Sequence, residues 1–305
     1  MKRIIYSIYI DIPSDELDYQ PPYHGETEDK NQKAKRVFRE NYEWLTHMQK
    51  SWSNSIGIEY RQYTRDDKYL EFESFYKEKY PFVTTWNIVN FYKLHLMYEL
   101  SKEGFDEILY LDIDVVPVSK LNFFEEWNLD HGIAILTNDP KIDRSLKTIA
   151  DNARWRDKHN ESGHSIRSPA AKYWNCYALL EEEGYEPHNS VYNTGIVGIS
   201  SKYLKQLDYF GDDFDYILNK MLDLKNDEFS MYPLWIQEIF GWDNETIWGF
   251  KTVQNEVPVQ LLNEQWHHFM DKWNYIPDNT SLVHVINKNF DYVREWCEKN
   301  NIQHI

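Results

Sequence analysis

Ile108-Leu109-Tyr110-Leu111-Asp112-Ile113-Asp114-Val115-Val116-Pro117 decides how this chain is read, because an apolar run there stops abruptly at two carboxylates. The residues before Asp112 are too few for a helix and too apolar for an exposed loop, and Gly104 and Pro117 punctuate the two ends. The pattern predicts a buried central strand of an α/β sheet. Ligands of open α/β sheets gather beyond the carboxyl ends of such strands, which makes Asp112 and Asp114 candidates for a binding site. Two oxygen ligands suit Mg²⁺ or Mn²⁺, and those ions suit a diphosphate. The plainer alternative is a polar strand end or a helix cap. Context separates this pair from Asp213-Phe214-Asp215, which lies in the acidic stretch 211–216, follows no hydrophobic strand and reads as solvated surface.

Working outward, residues 2–10 predict a first strand buried on both faces, followed by a polar loop with Pro13, Pro21, Pro22 and Gly25. Residues 31–52 predict a helix, since Ala34, Val37, Phe38, Tyr42, Leu45 and Met48 recur at three and four. With an expected strand over 56–63 this makes a β-α-β unit, hence a parallel sheet. A peripheral helix is expected over 66–80, and a second, capped by Thr84 or Thr85, over 86–100 against the sheet. Lys93 lies inside that second helix, where a lysine is usually a solvated face residue.

Downstream, 119–127 reads as a short amphipathic piece, and 133–136 as a buried strand ending in Thr137-Asn138-Asp139, a second polar strand end. Residues 140–189 read as an insertion with helices around 142–155 and 170–183. Residues 191–200 predict a strand whose Gly195 and Gly198 mark close approach of backbone or ligand. A helix is expected over 202–224, another from Pro233 carrying Gln237 and Glu238, then strands over 246–253 and 257–262. A strand over 281–286 with one inward polar group, His284, and a helix over 290–299, close the chain.

Composition narrows the classes. The 305 residues suffice for a substantial core, and 33 basic against 50 acidic residues give −17, which argues against nucleic acid as a partner. Cys176 and Cys297 are far apart with no zinc spacing, so two reduced thiols of a cytoplasmic protein are expected. The start, Met1-Lys2-Arg3 before Ile4, reads as a strand and not a signal sequence, the sequons at Asn160, Asn244 and Asn279 as unused, and no stretch as a membrane span. The 12 Trp and 23 Tyr exceed what a core of this size needs, and rings with a polar edge suit sugar faces, although most are expected to pack the core.

Taken together, these pieces resemble the metal-dependent nucleotide-sugar glycosyltransferases of the GT-A fold, most of all the family 8 type that includes glycogenin and bacterial galactosyltransferases. The likeness covers about residues 80–290. Its most specific part runs from Phe91-Tyr92-Lys93-Leu94 through Phe105-Asp106-Glu107-Ile108 to Asp114. The resemblance implies a single GT-A (Rossmann-like) α/β domain over 1–305 with a mixed, mainly parallel central sheet flanked by helices. Residues 1–115 would form the nucleotide half and 116–290 the donor-sugar and acceptor half, with a closing helix after 290. It implies that Asp112, Asp114 and His284 hold Mn²⁺ or Mg²⁺, and that Tyr6, Ile8, Lys93, Asp112, Asn138, Asn193, Thr194, Gly195 and Lys288 line a UDP-sugar. Asn138 and Asp139 match the strand end that holds the transferred sugar, and Gln237 and Glu238 face the reacting centre. The chain departs from the family where Lys93 replaces an Arg, giving a point charge in place of a fork, and where His284 is followed by Val285-Ile286-Asn287-Lys288.

The implied reaction moves a hexose or pentose from the donor to a hydroxyl of a glycan or glycoconjugate. If it inverts the anomeric centre, Glu238 or Asp139 takes the acceptor's proton; if it retains configuration, Glu238 or Gln237 stabilises the oxocarbenium-like centre. Two other classes fit parts of the sequence. Leu111-Asp112-Ile113-Asp114-Val115 also matches the nucleophile strand of haloacid-dehalogenase-type phosphatases, with Gly211-Asp212-Asp213 as the later acidic motif. The aromatic content also fits a noncatalytic carbohydrate-binding protein.

Overall fold

The computed structural model describes residues 1–17, 27–138, 167–188, 190–226, 243–270 and 273–302, and for 138 and 167–174 the backbone alone. β1 (Arg3–Tyr9), α1 (Lys30–Ser55) and β2 (Glu59–Thr64) form the expected unit, with β1 and β2 parallel. α1 starts where Asp29 accepts hydrogen bonds from the amides of Asn31 and Gln32, and runs to Ser55, so β2 begins three residues later than its pattern predicts. α2 (Asp67–Lys79) is capped by Asp66 and α3 (Thr85–Lys102) by Thr84.

The quoted stretch divides in two. β3 (Glu107–Leu111) is buried throughout, and after Asp112-Ile113-Asp114 the chain enters β4 (Val115–Pro117) in a different sheet. The larger sheet adds β5 (Ile133–Asn138), β6 (Val191–Ser200) and β7 (Val259–Leu261) in the order β2-β1-β3-β6-β5-β7. Only β6 runs against its neighbours among these six, so the sheet is mixed and mainly parallel. The smaller sheet sets β4 beside β9 (Leu282–His284), which pairs with β8 (His268–Phe269).

Strand alternation gives the large sheet a core on each face. Ile4, Tyr6, Ile108 and Tyr110 face α3, whereas Ile5, Leu109 and Leu111 pack with Trp52 of α1, Phe123 and Trp266. A third cluster joins Leu45 and Met48 of α1 to Val116, Val283 and Val285, and so ties the small sheet to the large one. Gly198 lets β6 pass the Phe123 ring, whose Cε1 would stand 2.5 Å from a Cβ there. Both cysteines are buried free thiols. Among the described residues no helix is long and apolar enough to cross a membrane.

Two expectations from periodicity are corrected. The helix expected over 202–224 is two, Ser201–Leu207 and Phe214–Asn226, because Asp208 takes a left-handed conformation (φ 45°) and ends the first. The strand expected over 246–253 is the helix Asn244–Gln254. Its β-branched Thr246, Ile247, Thr252 and Val253 mimic a strand, but Asp243 accepts hydrogen bonds from the amide and hydroxyl of Thr246 and starts a helix. The helix Arg167–Glu182 belongs to the expected insertion. The rest of that insertion up to 166, with its helix over 142–155, and the helix expected from Pro233 lie outside the described residues.

Candidate metal and nucleotide site

Asp112 and Asp114 occupy the turn where the chain leaves one sheet for the other, and each is fixed by a different neighbour. The Asp112 amide donates to the Gly195 carbonyl at 2.7 Å. Because β6 runs antiparallel to β3, its first residues, Val191 to Gly195, stand at the carboxyl end of β3. The Asp114 carbonyl accepts from the Val285 amide at 3.0 Å, and Val115 pairs with His284 across β4 and β9. The two sheets thus bring residues 112, 114 and 284 together. One ligand atom from each of Asp112, Asp114 and His284 lies within 4.8 Å of the others. The Asp112 side chain is 28% exposed, so the group opens to solvent on its side, whereas Asp114 and His284 are buried.

The carboxylates are already neutralised. Lys93 Nζ lies 3.4 Å from Asp112 Oδ1 and donates to the Thr194 carbonyl at 3.2 Å, and Lys288 is ion-paired with Asp114. Tyr110 donates its hydroxyl to Asp112 Oδ1 at 2.5 Å. Burial works against ionisation of Asp114, but the Lys288 ammonium and the neighbouring His284 outweigh it and hold its carboxyl well below the usual range. Lys288 has a left-handed backbone (φ 59°), which ends the tight turn after Val285 with the ammonium beside Asp114.

A glycine makes room for this arrangement. A Cβ on Gly195 would lie 2.4 Å from His284 Cε1 and 2.9 Å from Asp112 Oδ2, inside van der Waals contact, so the backbone of β6 closes one wall of the group. Two carboxylates and an imidazole form a donor set suited to Mn²⁺ or Mg²⁺, and the residues fit such an ion.

The structure places the other expected site residues as follows. Tyr6 is buried and donates its hydroxyl to the Lys93 carbonyl at 2.5 Å, with its ring 5.0 Å from that of Tyr110. Ile8 is buried in the core beside α3. Asn193 Oδ1 accepts from the Gly195 amide at 3.0 Å, and Thr194 is buried with its amide donating to Glu245 Oε1 at 3.1 Å. Asn138 ends β5 just beyond a register shift between Ile135 and Leu136. Asp139, Gln237 and Glu238 lie outside the described residues. The later acidic motif of the phosphatase alternative is engaged elsewhere: Asp213 is ion-paired with the buried Lys251 and accepts from Gln254 at 2.9 Å.

Three residues missed at the level of pattern support the site. Gln49 donates to the carbonyls of Asp112 (2.9 Å) and Val115 (2.8 Å), bracing the turn from below, and accepts from Tyr60 (3.0 Å). Its signal was present, since Leu45, Met48, Gln49 and Trp52 form one buried stripe with a polar member. Glu245 holds the Asn193-Thr194-Gly195 segment of β6 from the first turn of its helix. His267 is buried behind His284, its Nε2 3.0 Å from His284 Nδ1, and burial followed by the neighbouring His284 pushes its pKa well below the ordinary value, leaving it neutral.

No protein-family model and no curated protein matches the chain. Solved structures do match over most of its length. One is a glycosyltransferase involved in the glycosylation of the major capsid of PBCV-1, at 11% identity over 98% of this chain and 100% of that one, with a TM-score of 0.39. Another is apo mouse xyloside xylosyltransferase 1, at 10% identity over 93% and 98%, TM-score 0.42. A third is the galactosyltransferase LgtC with donor and acceptor sugar analogs, at 12% identity over 92% and 86%, TM-score 0.43.

Proposed function

We propose that the chain is a metal-dependent glycosyltransferase of the GT-A type, nearest in motif to family 8, that takes a UDP-sugar as donor and a hydroxyl of a glycan or glycoconjugate as acceptor. The observation that carries this reading is the balance of charge around Asp112 and Asp114. Lys93 and Lys288 already cancel the two carboxylates, so a divalent cation held by Asp112, Asp114 and His284 leaves the site with a net charge of two positives. A sugar-nucleoside diphosphate, with one negative charge on each phosphate, is the complement of that charge. The site is also at the carboxyl end of β3, where such ligands settle in open α/β sheets.

In the transfer, the bond from the anomeric carbon to the diphosphate oxygen breaks and negative charge grows on the leaving group. A bound divalent cation supplies Lewis-acid stabilisation of that charge. Lys288 is the chain's own cationic contribution: its ammonium, partly exposed and paired with Asp114, would add positive charge where the diphosphate meets the site. Lys93 is more constrained, because it is buried and spends its donors on Asp112 and the Thr194 carbonyl. It therefore fixes the orientation of Asp112 and adds to the field at the nucleotide. Within the same proposal Asp139 or Glu238 takes the acceptor's proton if the anomeric centre inverts, and Gln237 or Glu238 faces the anomeric carbon if configuration is retained.

A thermal-shift panel tests the donor class. UDP-sugars with Mn²⁺, at a hundred times their dissociation constant, should stabilise the protein by about 2.7 kcal/mol, with GDP- and dTDP-sugars giving less. A chain stabilised by none of the three in the presence of Mn²⁺ or Mg²⁺ would contradict the reading.

A further inference from the structure

We propose that His267 is the positioning residue that, with a cation at the site, holds His284 in the tautomer protonated on Nδ1, with the Nε2 lone pair turned to Asp112 and Asp114. This rests on the reading of those residues as a cation site. The two rings meet Nε2 to Nδ1 at 3.0 Å, and His267 is 2% and His284 4% exposed, so water does not compete for the bond. Phe269 tilts against both rings, 4.7 Å from His267 and 5.4 Å from His284 at the centroids, and limits their rotation.

One proton lies in the bond between two neutral imidazoles, which allows two arrangements. With the proton on His267 Nε2, His284 carries its own on Nε2, the atom 3.5 Å from Asp114 Oδ1 and 3.8 Å from Asp112 Oδ2, and that nitrogen is closed to a cation. With the proton on His284 Nδ1, the Nε2 lone pair joins two carboxylates, a convergence that is unfavourable alone and favourable around a cation. Passing from the first to the second moves a proton from His267 Nε2 to His284 Nδ1, releases one from His284 Nε2 and takes one up at His267 Nδ1. Both rings stay neutral and the proton count is unchanged.

His267 Nδ1 is buried and has no hydrogen-bond partner. It is a bare lone pair in one arrangement and an unpaired N–H in the other, so a cation at His284 Nε2 selects the second, and the bond from His284 Nδ1–H to His267 Nε2 then holds the ring in it. The supporting residues of metal-bound histidines are commonly carboxylates or carbonyls. A neutral imidazole in that place orients His284 without adding a negative charge, and so preserves the two positive charges that a diphosphate would meet.

The test combines Mn²⁺ titration with ¹⁵N-histidine NMR of the full chain loaded with Mg²⁺. His267→Phe should weaken Mn²⁺ by about 10–100-fold, and His267→Gln, whose amide oxygen accepts from Nδ1–H, should recover most of that loss. In the Mg²⁺-loaded wild type, His284 should be protonated at Nδ1, a readout that needs no variant to fold. Mn²⁺ affinity kept within about twofold in His267→Phe, or His284 protonated at Nε2 with Mg²⁺ bound, overturns the proposal alone. A wild-type chain that binds neither ion overturns the cation reading and the proposal with it.

Discussion

Asp114→Asn is expected to lower sugar transfer by about 10³-fold or more and to remove Mn²⁺ binding, while the chain still folds. The carboxylate faces the site, but the strand pairing around it is made by backbone: the Asp114 carbonyl accepts from Val285, and β4 pairs with β9 through Val115, Val116 and Pro117. Asparagine keeps the volume and loses the charge that holds Lys288 and His284, so stability should fall by about 1–3 kcal/mol. The direction with pH follows from linkage. Asp114 ionises more readily in the folded chain than in the unfolded one, whose carboxyl titrates near the ordinary value of 3.8. Its contribution to stability is therefore complete above that value and is lost as pH falls below it toward the folded value. The stability gap between wild type and Asp114→Asn, measured by urea unfolding, should be full at about pH 7 and shrink below about pH 4. A variant that keeps near wild-type transfer would show that Asp114 takes no part in the chemistry.

Gly195→Ala should damage the site out of proportion to its effect on the fold. Gly195 lies in β6 with ordinary strand backbone, so the cost is one of space: the new methyl would meet His284 Cε1 at 2.4 Å and Asn193 Oδ1 and Asp112 Oδ2 at 2.9 Å. Overpacking of this kind destabilises by about 1–3 kcal/mol, and here the atoms that must give way are the ones that would hold the ion. Gly198→Ala is the matched control, since its methyl would strike the Phe123 ring at 2.5 Å and nothing in the site. Both variants should unfold more easily, but only Gly195→Ala should weaken Mn²⁺, by about tenfold or more. Equal Mn²⁺ affinity in the two variants would mean that the group around Asp112 is not a cation site.

Much of this arrangement was legible before the structure. The nearly continuous apolar runs of β1 and β3 announced a sheet buried on both faces, and the stop at Asp112 and Asp114 marked the sheet end at which Asp112, Asp114 and His284 meet. A lone histidine in the apolar 282–286 run pointed to His284. What the sequence could not show is topology. That β3 and β4 belong to different sheets, and that β6 runs antiparallel to bring Gly195 beside Asp112, are settled by pairing between segments far apart in the chain. Local signals also misled where β-branched residues sit in a helix whose burial outweighs their propensity, as in Asn244–Gln254. Gln49 showed itself only as a polar member of a buried helical stripe, and His267 carries no spacing of its own, because the partners of both lie on other elements.

The measurement closest to the central claim is isothermal titration of Mn²⁺ into the wild-type protein, alone and with saturating UDP, paired with titration of UDP with and without Mn²⁺. If Lys93 and Lys288 already balance Asp112 and Asp114, the ion alone binds weakly, and ion and diphosphate complete each other's charge. UDP should then tighten Mn²⁺ by about 5–150-fold, and Mn²⁺ should tighten UDP by the same factor, as linkage requires. UDP binding that is unchanged by Mn²⁺ and by a chelator would contradict the claim that Asp112, Asp114 and His284 hold the ion through which this protein meets its donor.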